Sequence, residues 1–138
     1  MMAKDIYHYN VRTALEKDGW IITDDPFPLR LGLRGVLVDL GAKKLLAAER
    51  KGTIIAVEIK SFIGKSPVKD LENAIGQYTL YLTLLSRLDP ERTLYLAIVE
   101  EVYSTFFSEE IVQVVLEDRG IKLIVVDPVK EVITKWIN

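Results

Sequence analysis

Hydrophobic and polar positions follow two periods along this chain. Within Asp5 to Lys17, Tyr7, Val11, Ala14 and Leu15 fall at i, i+4, i+7 and i+8, the spacing that lines apolar side chains along one stripe of a helix. Gly19 follows as a C-terminal cap. The pattern then changes to short apolar runs bounded by turn formers, which fit a pleated surface. Trp20 to Thr23 predicts a strand ended by Asp24-Asp25-Pro26, Gly35 to Leu40 a second, and Ile54 to Lys60 a third. Gly64-Lys65-Ser66-Pro67 announces a helix. Ser66 is the N-cap there, and Pro67 occupies the first helical position, where a missing N–H costs nothing. Leu71, Ala74, Ile75, Tyr78, Leu82 and Leu85 then keep helical spacing toward a core. Leu94 to Val99 has the length of a buried strand. Ser108 with Glu109 and Glu110 opens another helix, its acids suiting the positive end of the dipole, and Arg119-Gly120 closes it. Ile121 to Val126 is a further buried strand, Asp127-Pro128 a turn, and Val132 to Ile137 a last strand. The order, αβββαβαβ with a closing strand, predicts an α/β (α+β) fold in which helices cover a mixed sheet. Trp20 and Trp136 are expected in its core at strand ends.

Composition narrows the function classes. A chain of 138 residues, 49% hydrophobic and 28% charged, suits one domain over 1–138. With 18 basic and 20 acidic residues, 8 Gly and 5 Pro, neither disorder nor a fibrous class fits. The opening Met1-Met2-Ala3-Lys4-Asp5 meets an acid before any apolar run. No later run approaches the roughly 20 apolar residues of a membrane span, so a cytoplasmic protein with no membrane partner is expected. The absence of cysteine excludes disulfides, thiolate zinc sites and cysteine nucleophiles, and a lone histidine, His8, makes a histidine-rich metal site or a Ser-His-Asp triad hard to build. Any chemistry must rest on carboxylates, lysines and hydroxyls. The formal net charge of -2 argues mildly against bulk affinity for nucleic acid, but charge is unevenly spread. Lys43, Lys44, Arg50, Lys51, Lys60, Lys65 and Lys69 face only Glu49 and Glu58 in their stretch, whereas acids dominate from Asp89 onward. That distribution fits either a local positive face or a mixed solvated surface.

The third predicted strand carries the most informative residues. A side-chain period of two sends Glu58 and Lys60 to one face, and Ile55, Val57 and Ile59 to the other. Charges inside a core-like strand cost several kcal/mol each unless they are paired, hydrated or bound to a metal. Asp39 ends the second core-like strand nineteen residues before Glu58. That separation allows two neighbouring antiparallel strands joined by a loop through Gly41 to Gly52. Asp on one strand and Glu-x-Lys on the next is what a metal-dependent nuclease needs. Two hard carboxylates hold Mg²⁺ or Mn²⁺, the metal acidifies a bound water and neutralises phosphodiester oxygens, and the lysine orients or deprotonates the nucleophile. Glu58 and Lys60 also fit a partly exposed salt bridge, worth about 0.2–1 kcal/mol.

These residues resemble the PD-(D/E)xK, or restriction-endonuclease-like, superfamily. The resemblance implies Asp39 as the metal-binding aspartate, Glu58 as the second carboxylate and Lys60 as the catalytic lysine, with Val38 where the motif has proline. Gln77 and Tyr81, at i and i+4 on the second helix, resemble the Gln-x-x-x-Tyr helix of RecB-like members. The likeness implies that Gln77 contacts phosphate or positions Lys60. In the first helix His8, Arg12 and Glu16 form a polar stripe. It fits a solvent-facing role, or one in which Glu16 is a further metal ligand, as the first helix supplies in some relatives.

The whole chain is also similar to the XisH family of fdxN-element excision controlling factors from cyanobacteria. The stretches that carry this are Ala3-Lys4-Asp5-Ile6 with His8, Ala14 to Trp20, Val38-Asp39-Leu40-Gly41-Ala42, Val57 to Gly64, and Asp127-Pro128 with Val132-Ile133 and Trp136-Ile137-Asn138. The resemblance implies a factor that acts, with an XisI-like protein and a separate site-specific recombinase, in excising a DNA element during heterocyst development. Two expectations follow. The chain is a Mg²⁺-dependent nuclease that cuts DNA, or it is a non-catalytic nuclease-fold module that binds DNA, the XisI-like protein or the recombinase. The final strand, Val132 to Ile137, offers an edge for a homo-oligomer.

Overall fold

The computed structural model describes residues 4–45 and 52–138. Met1, Met2 and Ala3, and Glu49, Arg50 and Lys51 of the basic stretch, lie outside the described residues. Helix α1 (His8–Lys17) leads into β1 (Ile21–Asp24), a hairpin of β2 (Phe27–Leu31) and β3 (Arg34–Val38), then β4 (Leu40–Lys44) and β5 (Thr53–Ile59). Helix α2 (Pro67–Leu88) carries the chain to β6 (Thr93–Val99). Helix α3 (Glu100–Ser104), a 3-10 turn (Phe106–Ser108) and α4 (Glu110–Arg119) lead to β7 (Leu123–Asp127) and β8 (Val132–Ile137).

Six strands form the main sheet in the order β1-β4-β5-β6-β7-β8. The β5–β6 and β6–β7 pairs are parallel, because each pair is joined through helices, and the remaining pairs are antiparallel. This is the mixed sheet flanked by helices that the sequence predicts. Period two along the strands sorts their side chains into two cores. On one face Ala56, Leu94, Leu96, Leu123 and Val125 pack with Leu71, Tyr78 and Leu85 of α2, Val112 of α4 and the fully buried Phe107. On the other, Ile55, Val57, Ile59, Ala97 and Ile124 meet Val11, Ala14 and Leu15 of α1. Trp20 is in this second core and Trp136 packs on it, their rings 5.7 Å apart. Among the described residues no helix is long and apolar enough to cross a membrane.

Several boundaries depart from the expectation. The first helix starts at His8 rather than Asp5, because Asp5 closes a turn, its carboxylate accepting from the Tyr7 N–H and its carbonyl from the His8 N–H. In α2 the core position falls to Tyr81, 6% exposed, while Leu82 is 44% exposed. Leu71, Ala74, Tyr78, Tyr81 and Leu85 alternate steps of three and four, which keeps them on one stripe, and Leu82 lies one step, about 100°, beyond it. Ser66 caps α2 as expected, its side chain accepting from the Lys69 N–H at 3.2 Å. Gly120 ends α4 at φ +60°, in the left-handed conformation that glycine adopts without penalty.

The larger departure is the expected strand Gly35 to Leu40. It is two strands with a bend at Asp39: β3 pairs with β2 in a separate two-stranded sheet, and β4 begins at Leu40. Residues 41 to 44, expected in a loop, therefore belong to the strand beside β5. Gly41 makes room for this crossing, since a Cβ there would come within 2.8 Å of the Phe27 ring and 3.1 Å of an Asp24 carboxylate oxygen.

Candidate functional site

The register of β4 against β5 builds the centre of the site. Leu40 pairs with Val57 and Gly41 with Ala56, so continuing the ladder by one residue sets Asp39 across from Glu58. Two hydrogen bonds fix the juxtaposition. The Asp39 N–H donates to Glu58 Oε1 at 3.3 Å, and the Ile59 N–H donates to Asp39 Oδ2 at 2.7 Å. At the bend the aspartate side chain thus satisfies a strand N–H that β4 no longer reaches. On its other edge β5 continues beside β6, the Lys60 N–H donating to the Ala97 carbonyl.

Glu58 shares its face with Ala56, on the α2 side of the sheet, and is 5% exposed. Burial pushes its carboxyl up to about 9; the Asp39 carboxyl adds to the rise through charge and a hydrogen bond, and the charge of Lys60 partly offsets it. Tyr81 of α2 is pushed up to about 12, first by burial and then by the charges of Glu58 and Asp39, so it meets the acidic pair as a neutral phenol. One helical turn earlier, the amide oxygen of Gln77 is buried without a hydrogen-bond partner. An unsatisfied buried acceptor of this kind is costly.

Asp39, Glu58 and Lys60 are therefore together, with Tyr81 beside the two carboxylates and Gln77 one turn away on the same helix. Glu16 is not brought to this group. Its helix lies on the opposite face of the sheet, its side chain is 53% exposed, and its carboxylate faces Arg12 Nε at 3.6 Å. His8 is buried and bonds Asp25 Oδ1 through Nε2 at 2.8 Å, and Arg12 bonds Asp25 Oδ2 at 2.6 Å. The polar stripe of α1 thus clamps the corner after β1.

The sequence reading missed Asp5. Its carboxylate accepts from the Ser61 N–H at 3.0 Å across 56 residues, and it lines a cleft of about 160 Å³ with Lys60, Ser61, Phe62, Gly64 and Asp70. No local signal points there, because the contact depends on where α1 docks. Phe62, in the same cleft, has φ +55°, a conformation that costs a non-glycine residue energy and occurs often at functional sites.

The donor set suits a hard divalent cation. Among the described residues no group of three or more His, Asp or Glu side chains converges. Mg²⁺, however, is commonly held by one or two carboxylates, with water and substrate phosphate completing its shell. Asp39 and Glu58 are the side chains that would hold such an ion, since their carboxyl groups face one another and a cation between them can take the place of the Glu58 proton.

Comparison with known proteins gives a consistent family. The XisH protein family model matches residues 1–134. An XisH family protein from Nostoc punctiforme is 38% identical, with a TM-score of 0.87 over 97% of this chain and 100% of that one. An fdxN element excision controlling factor protein from Anabaena variabilis is likewise 38% identical, with a TM-score of 0.87 over 98% and 100%. No curated protein matches the chain. A family match across nearly all its residues and two solved relatives sharing both fold and sequence lead to one conclusion: the chain belongs to the XisH family.

Proposed function

We propose that this chain is a controlling factor for excision of a DNA element, the role that the name of its Anabaena variabilis relative describes. Its molecular contribution is a Mg²⁺- or Mn²⁺-dependent nuclease site of Asp39, Glu58 and Lys60. The observation that carries this reading is the convergence of Asp39 and Glu58 across the β4–β5 register, bonded through backbone N–H groups. When bound, the cation acidifies a water and neutralises charge on the phosphodiester. Asp39 and Glu58 would hold it, and the hydrogen bond from the Ile59 N–H fixes one oxygen of the Asp39 carboxylate. Lys60, which follows β5 on the same face as Glu58, orients the nucleophile and faces the negative phosphate. Gln77 offers a buried amide oxygen in need of a donor, and Tyr81, buried on the same helix, meets the pair as a neutral phenol. DNA is the substrate in this reading, and an XisI-like protein and a site-specific recombinase are its partners in excision.

The test is cleavage of supercoiled and single-stranded DNA with Mg²⁺ or Mn²⁺ by the wild type, Lys60→Ala and Glu58→Ala. Metal-dependent cutting that disappears in both variants is the expected result. No cutting, together with no metal binding in calorimetry, would leave a regulatory module that works by binding a partner.

A further inference from the structure

The β2–β3 hairpin is held firmly at its base and left free at its tip. At the base Leu29 is 3% exposed and Val38 fully buried, Phe27 and Val36 pack on the α2-side core, and the Arg92 guanidinium lies 4.3 Å over the Phe27 ring. From Arg30 to Arg34 every residue is exposed, Leu31 at 56% and Leu33 at 98%. Leu31 pairs with Arg34, so the loop is two residues, Gly32-Leu33. Gly32 has φ +64°, the positive value that tight hairpin turns need at their first central position. A paired two-stranded ribbon therefore displays two arginines and two leucines to solvent. Neither arginine has an ion-pair partner among the described residues. Pairing also sets their faces: Arg34 shares one with Leu31, and Arg30 shares the other with Leu37.

Continuity ties this ribbon to the candidate site. Strand β3 runs into Asp39 with no intervening residue. The five residue steps from Arg34 to Asp39 span about 16 Å of extended chain, a distance covered by about five base pairs of B-form duplex. Two strands joined by a two-residue turn match the major groove, which is about 12 Å wide and admits a β-ribbon. On a chain of net charge -2, a pair of unpaired arginines on opposite faces of such a ribbon complements phosphates on both walls of the groove. Leucines at its tip suit thymine methyl groups on its floor.

We infer that the β2–β3 hairpin is a DNA-engaging arm, which enters the major groove of duplex DNA about five base pairs from the bond presented to Asp39 and Glu58. The inference rests on the nuclease reading above and adds the form of its substrate. Arg30 and Arg34 supply phosphate contacts, and Leu31 and Leu33 supply apolar contact with base edges.

The test is fluorescence anisotropy with a labelled duplex of about 30 base pairs and Mg²⁺, at several salt concentrations, on a Lys60→Ala background that does not cut. The double variant Arg30→Gln/Arg34→Gln should weaken binding about tenfold or more at moderate salt and make the slope of log K against log salt shallower by about 1.8, from two lost phosphate contacts. Leu33→Ser should weaken binding with no change in slope. All these side chains are exposed, so melting temperatures should stay within about 1–2 °C of the parent. If the variants bind as the parent does with equal slope, the arm is overturned while the nuclease reading stands. Binding to single strands alone overturns the groove assignment. Unchanged DNA binding with a dimer-to-monomer change for Leu33→Ser, seen by sedimentation velocity, overturns it in favour of a second copy. A parent that does not bind DNA, together with a wild type that does not cut it, removes both readings.

Discussion

A carboxyl group that is 5% exposed and set beside a second carboxyl keeps its proton unless a cation takes its place. For Glu58 this has a definite pH signature. Folding raises its affinity for the proton, so its contribution to stability is complete below the ordinary carboxylate range and is lost as pH rises toward about 9. The groups that face it, Asp39, Lys60 and Tyr81, set the balance. Glu58→Gln carries no titrating proton there, so in chelator its melting temperature should exceed that of the wild type by an amount that grows from pH 5 to pH 9. A gap that is flat or shrinks with pH would show the buried carboxyl to be already ionised. Asp25 runs the opposite way. Burial opposes its ionisation, but the hydrogen bond from Arg12 and the charges of His8 and Lys4 outweigh that and hold it below the usual range. Its contribution is therefore present above the ordinary carboxylate pKa and is lost as pH falls through the lowered value. Asp25→Asn should cost about 1.5–3 kcal/mol in urea unfolding at pH 7, the scale of hydrogen bonds to charged groups, and the cost should shrink in acid. Glu58 and Lys60 were legible as a pair on one face because strand geometry alone sets that relation. Asp5 was not, because its partner Ser61 is 56 residues away.

The bend at Asp39 shows why elements are harder to read than residues. Gly35 to Leu40 reads as one continuous apolar strand, yet β3 serves the hairpin and β4 the main sheet. The signal for the hairpin was present: Phe27, Leu29 and Leu31 alternate with polar or turn-compatible positions, and Gly32 follows, the pattern of a tight hairpin. Proline at positions 26 and 28 masked it, since proline usually demotes a strand to a sheet edge. An edge is where β2 lies, with β3 as its single partner among the described residues. The crossing of hairpin and sheet rests on Gly41. Gly41→Ala should cost about 1–3 kcal/mol through overpacking against Phe27. On the nuclease reading, because Gly41 sits two residues from Asp39, the same variant should lose DNA cleavage more steeply than it loses stability, as seen by comparing urea midpoints with rates measured well below them. At the start of α2, Ser66→Ala should cost about 1 kcal/mol in the same unfolding assay, for loss of its bond to the Lys69 N–H.

At the scale of the whole molecule, the sheet order puts β5 and β6 at the centre, with the acidic pair at the end of β5 where β3, β4 and α2 meet it. Strand β8 closes the sheet with Trp136 against Trp20 and Tyr95. On the nuclease reading, a cation held by Asp39 and Glu58 would tie the start of β4 to β5 and would bind only the folded state. Above its dissociation constant, each tenfold increase in Mg²⁺ should stabilise the protein by about 1.4 kcal/mol. The rise in melting temperature should be absent in Asp39→Asn and Glu58→Gln, and a rise retained in both would place the ion elsewhere. The helix and strand periods, the Ser66-Pro67 start of α2, the common face of Glu58 and Lys60, and the absence of cysteine chemistry are written in the residues themselves. Each of these follows from backbone geometry or side-chain type within a few neighbouring residues. Packing and register set the rest: Asp39 stands across from Glu58, Tyr81 rather than Leu82 turns inward beside them, Glu16 stays on the far face, and the β2–β3 tip is exposed. Those relations depend on strand register, on which face each helix covers and on how the packed core excludes alternatives, and residue spacing along a chain does not encode them.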